Sequence, residues 1–109
     1  MSIKKPDLLQ GTLDLLVLKT LGQGPQHGYG IAQKILLSSR QTIDVQQGSL
    51  YPALHRLERK GLVTSEWRES DAGRMARIYS LTKSGRQHLA TEIEQWTRYA
   101  AAINWVIEG

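Results

Sequence analysis

Residues 48–63 read Gly48-Ser49-Leu50-Tyr51-Pro52-Ala53-Leu54-His55-Arg56-Leu57-Glu58-Arg59-Lys60-Gly61-Leu62-Val63. Leu50, Leu54 and Leu57 recur at i, i+4 and i+7, an apolar stripe that a helix gathers onto one face. Pro52 is tolerated only near a helix start, where its missing N–H has no partner to lose. It therefore puts the beginning of a helix over residues 47–60 near Gly48 or Ser49. Gly61 closes the helix as the glycine that takes up the left-handed turn beyond it. With the stripe turned inward at about 100° per residue, Gly48, Pro52, His55, Arg56 and Arg59 face outward and Tyr51 sits at the edge.

Downstream, the apolar period changes from helical to alternating. Residues 62–69 (LVTSEWRE) and 76–81 (ARIYSL) alternate around a Ser70-Asp71-Ala72-Gly73 turn, which predicts a β-hairpin. Trp67 is expected as a core anchor beneath it. Thr82 is the expected N-cap of a last helix running to about Val106. That helix carries a seam of Leu89, Ile93, Trp96, Ala100, Ile103 and Ile107, close to heptad spacing. Trp105 is expected to pack near the end of the seam.

Upstream, residues 29–39 predict a helix with Ile31, Ile35 and Leu36 inward, and residues 8–21 (LLQGTLDLLVLKTL) another. In the first helix Leu9, Leu13 and Leu16 mark one face, but leucines surround most of the cylinder. A helix apolar on nearly every side is buried on more than one side, and a second subunit is one way to cover it. The order helix, helix, helix, hairpin, long helix matches a winged helix-turn-helix. The expected fold is mainly α with a small β-hairpin. Residues 1–81 would form a DNA-binding domain and residues 82–109 a dimerisation helix.

The chain has 109 residues, no cysteine and a net charge of +4. Its length suits one domain, and disulfides and thiolate metal sites are excluded. No apolar run is long enough for a membrane span. Met1 to Asp7 carry no apolar segment of signal-peptide type, so the cytoplasm is the expected location. His27, His55 and His88 match no metal-ligand spacing. Gly28-Tyr29-Gly30 lacks the third glycine of a dinucleotide loop, and no Walker, nucleophile-elbow or zinc-protease motif occurs. Neither an enzyme nor a cofactor is expected.

Charge is concentrated. Residues 56–86 hold eight basic side chains against four acidic ones, whereas residues 87–109 hold one against three. Arginine forks onto guanine or phosphate, histidine bonds either, and Ser49 with the first-turn N–H groups suits a phosphate. Taken alone, Arg56 and Arg59 read as ordinary solvated surface. Arg68, Arg74 and Arg77 on the following hairpin shift the balance towards double-stranded DNA. The other reading is a winged-helix protein-interaction module without DNA binding.

The runs Gly28-Tyr29-Gly30-Ile31, Gly48 to Val63, and Tyr79-Ser80-Leu81-Thr82-Lys83-Ser84-Gly85 resemble the signature of the PadR family of winged-helix transcriptional regulators. The subgroup with a single C-terminal helix fits best, and the resemblance runs from about Leu8 to Val106. It implies a homodimer joined through the first and last helices, binding a palindromic operator, usually as a repressor. It also implies DNA contacts from Ser49, Tyr51, Pro52 and Arg56, with Arg74 and Arg77 in the wing. His55, Arg59 and Arg68 join them on charge and position. Met75 and Ala76 interrupt the continuous basic run common at the wing tip of the family. Some members release DNA on binding planar aromatic effectors, stacked in one branch between tryptophans of the dimer helix. Trp96 matches that position, with plain packing in the seam as the other reading.

Overall fold

The computed structural model describes residues 10–69 and 71–109. Three helices, α1 (Gln10–Gly22), α2 (Gly28–Ser38) and α3 (Gln47–Arg59), pack against a small sheet and the start of a 26-residue helix, α4 (Lys83–Glu108). The sheet holds β1 (Gln26–His27), β2 (Val63–Glu69) and β3 (Met75–Leu81), antiparallel in the order β1-β3-β2. β1 is too short for any periodicity to announce it.

α1 lies at the centre. Leu13, Leu15, Val17, Leu18 and Leu21 are buried on different sides of it, against α2, α3, α4 and β3. The all-round apolar character is thus largely accounted for within one chain. Leu13 is only 4% exposed and belongs to the chain's own core, so it is not a surface that a second subunit would cover. Leu16 is half-buried against that core, and Leu9 lies outside the described residues.

α3 buries Leu50, Leu54 and Leu57 as its stripe requires, with Ala53 beside them. It begins at Gln47, so Pro52 stands in the second turn rather than the first. The missing N–H would have reached the carbonyl of Gly48, an exposed residue, where water can substitute. The helix ends in a Schellman motif: Gly61 has φ 73°, its N–H donates to the Glu58 carbonyl, and Leu62 N–H donates to the Leu57 carbonyl. That turn aims the chain directly into β2.

Thr82 caps α4 as expected, its Oγ1 accepting from Gly85 N–H at 3.0 Å and donating to the Gly61 carbonyl at 2.6 Å. Gly85 is buried so tightly that a Cβ there would collide with the Leu62 carbonyl. One end of α4 is therefore locked to the turn between α3 and β2. Leu89 packs against the core, and α4 then runs on beside α1 as far as Trp96 and Tyr99, with its last turns exposed. A helix of 26 residues spans about 39 Å, and the molecule accordingly measures 55 Å along its longest axis.

Candidate nucleic-acid interface

The exposed side of α3 presents Gly48, Ser49, Tyr51, Pro52, His55 and Arg59. Their placement follows from the leucine stripe, since the side of the helix opposite that stripe is rotated towards solvent. Arg56 departs from the expectation. It is half-buried, and its Nη2 donates to Asp14 Oδ1 of α1 at 3.0 Å. Its Nε is buried without a hydrogen-bond partner among the described residues. Arg56 lies beside α1 because a long side chain at the stripe's margin follows a nearby carboxylate rather than water.

The hairpin pairs Val63 with Leu81, Ser65 with Tyr79 and Trp67 with Arg77. Along this face burial fades from Val63 to Trp67, because the strands run past the edge of the helical body. Trp67 is consequently 61% exposed, which corrects its expected role as a core anchor. The Arg77 guanidinium lies 5.8 Å from the Trp67 ring centroid, within cation–π range. Arg77 Nε also donates to Ser65 Oγ at 2.9 Å, Ser65 Oγ donates to Glu58 Oε2 at 2.7 Å, and Arg77 Nη2 sits 3.6 Å from the same carboxylate. This chain of polar contacts ties the hairpin to α3. Arg68 bonds Glu66 through its Nε at 2.6 Å, and Arg74 stands exposed near the tip.

Between α3, the start of α2 and the hairpin lies a cleft of about 550 Å³. Tyr51, His55, Arg74 and Arg77 of the expected site line it together. Arg68 does not, and Arg56 faces away towards α1. Tyr29 and Trp67 complete the wall, although neither was selected from the sequence. The small-aromatic-small pattern of Gly28-Tyr29-Gly30 was the signal available for Tyr29. His27 caps α2, its Nδ1 accepting from Gly30 N–H at 3.0 Å, and its ring stacks on Tyr29 at 6.3 Å between centroids. Gly28 admits Tyr51: a Cβ there would lie 2.7 Å from the phenolic oxygen. Tyr79, buried beneath the cleft, has its hydroxyl pKa raised above 10.0, chiefly by loss of solvation. The Arg77 charge opposes that rise, and Glu58 and Tyr51 add to it.

The far side of the molecule offers a different surface. A groove of about 350 Å³ between α1 and α4 is lined by Leu15, Trp96, Tyr99 and their neighbours. Trp96 is 46% exposed there. Ile93, Ile103, Trp105 and Ile107 are exposed and Ala100 is half-buried, so the seam of α4 is uncovered in the single chain. No helix among the described residues is long and apolar enough to cross a membrane, and no group of His, Asp and Glu side chains there is arranged to hold a metal.

Known proteins share this arrangement. The Transcriptional regulator PadR-like family matches residues 17–91. The Mycobacterium tuberculosis transcriptional regulator Rv3488 is 40% identical over 78 residues, covering 72% of this chain and 69% of its own. Among solved structures, smu.1704 of Streptococcus mutans superposes with a TM-score of 0.82 at 29% identity, over 94% of this chain and 92% of that one. A PadR-like transcription factor of Bacteroides fragilis gives 0.72 at 31% identity, over 89% and 91%. The family match takes in the start of α2, α3 and the wing, the parts that build the cleft. With its winged helix and a recognition-type helix exposed beside an arginine-bearing hairpin, the chain belongs to the PadR-like family of DNA-binding transcriptional regulators.

Proposed function

We propose that the chain is a homodimeric repressor that binds a palindromic operator in the cytoplasm and performs no catalysis. Residues 1–81 form its DNA-binding unit and residues 82–109 its dimerisation helix. One observation supports this reading above the others: the exposed side of α3 and the arginine-bearing hairpin line a single cleft. Ser49, Tyr51, Pro52, His55 and Arg59 face the major groove, while Arg68, Arg74 and Arg77 meet the neighbouring backbone. Arg56 acts chiefly by holding α3 against α1. The uncovered seam of Ile93, Trp96, Ala100, Ile103 and Ile107 supports a two-fold partner, with Leu16 and Leu89 at its margin. The groove at Trp96 is the place for a planar aromatic effector, because an exposed indole stacks on flat or cationic rings.

Titration of a duplex carrying the protein's own promoter, at several salt concentrations, tests the reading. Two recognition helices should engage half-sites about 34–36 Å apart or a multiple of that. The logarithm of affinity should fall linearly with that of salt, by about 0.9 per phosphate neutralised. Arg59→Ala and Arg74→Ala should each weaken binding and flatten the slope. Equal, salt-insensitive binding to promoter and scrambled DNA, with both variants silent, would instead identify a protein-interaction module, whose docking surface would be the seam of α4.

A further inference from the structure

We infer that the aromatic cleft between α3 and the hairpin seats one sugar–phosphate strand of the duplex, with the Trp67 indole packed against deoxyribose. The inference rests on the DNA-binding reading and names contacts beyond the recognition helix. Trp67 is not exposed alone: Tyr29, Tyr51 and Met75 are exposed around the same cleft, and a contiguous apolar patch of this kind marks a place where something binds. The cleft of about 550 Å³ is large enough for a nucleotide-sized group.

The lining identifies the occupant. Arg74 and Arg77, His27 and His55, and the tyrosines Tyr29, Tyr51 and Tyr79 face the cleft, and no carboxylate does among the described residues. Donors and positive charge beside an apolar ring suit a chain that alternates phosphate with sugar. A donor-rich lining without carboxylates suits an anionic occupant, and every phosphodiester of a duplex strand brings a negative charge where a neutral peptide brings none. Position agrees with chemistry. When a helix occupies the major groove, the strand bounding that groove passes beside it, into the space between helix and wing. Trp67 stands on the hairpin side of that space, and Tyr51 and His55 on the helix side. Arg77, over the indole at 5.8 Å, holds the ring and brings charge to its edge.

A contact to sugar carries neither sequence information nor a counterion. Trp67→Ala should therefore weaken binding to the promoter duplex and to a scrambled duplex by the same factor, roughly tenfold, near the low end for aromatic contacts to nucleic acid. The salt slope should stay at its wild-type value, whereas Arg74→Ala lowers it by about one. Trp67→Phe, which keeps an aromatic face, should recover most of the loss. Fluorine NMR of 5-fluorotryptophan-labelled protein should show the Trp67 resonance, assigned by its absence in Trp67→Phe, shifting on addition of either duplex. Unchanged affinity of Trp67→Ala, no recovery with Phe, or an unmoved Trp67 resonance at saturation would each overturn the inference while leaving DNA binding intact. If the wild-type protein binds neither duplex in a salt-dependent way, the underlying reading fails instead.

Discussion

Asp14 on α1 and Arg56 on α3 meet at 3.0 Å, joining the central helix to the helix that carries the candidate DNA-facing side chains. Their side chains are 15% and 24% exposed, so neither charge is well served by water. Removing one partner leaves the other partly buried and unpaired. Removing both leaves an apolar contact.

A double-mutant cycle makes this measurable. Asp14→Ala is expected to lower the urea-unfolding free energy by about 2 kcal/mol, between the figures for surface and buried pairs. Adding Arg56→Met should restore part of that loss, because no stranded cation remains and the stem still packs. Additive losses would show that the pair contributes no coupling.

Tyr79 gives the fold a dependence on alkaline pH. Its buried hydroxyl keeps its proton above 10.0, whereas the unfolded chain releases it near that value. In the interval between the two, the unfolded state binds fewer protons, so stability falls as pH rises. The contribution is whole below about pH 9 and is lost from about pH 10 upward through the folded-state value. Urea midpoints measured from pH 8 to 11.5 should diverge at the top of the range, with Tyr79→Phe declining less than the wild type. Parallel curves would contradict the burial argument.

The proposed seam of α4 can be broken without touching the core. Ile103 is 40% exposed and lies far from α3 and the wing along the helix. In a two-fold dimer Ile103→Glu introduces the carboxylate twice, each copy costing about 1–3 kcal/mol when buried without a partner. The dimer dissociation constant should rise by roughly a hundredfold, seen as a shift to monomer in sedimentation velocity, while the circular-dichroism spectrum is preserved. A variant that stays dimeric would move the interface off this face.

The exposed side of α3 was legible from Leu50, Leu54 and Leu57 alone, since three inward positions fix the rotation of a helix. Gly61 and Thr82 marked their boundaries because caps are satisfied within a few residues. Trp67 misled for a definite reason. Alternation puts it on the same face as Val63, but alternation says nothing of where the body beneath the sheet ends.

Local periodicity, capping and turn chemistry thus settled the order of the elements, the hairpin and the side of α3 turned to solvent, all within the reach of a few residues. Tertiary structure alone decided which α1 leucines the chain buries for itself, and that Arg56 answers to a carboxylate 42 residues earlier. It also decided that Tyr29, Tyr51, His55, Trp67 and Arg74 share one cleft. Those facts depend on which elements meet and where the packed body stops, and no spacing along a single segment carries that information.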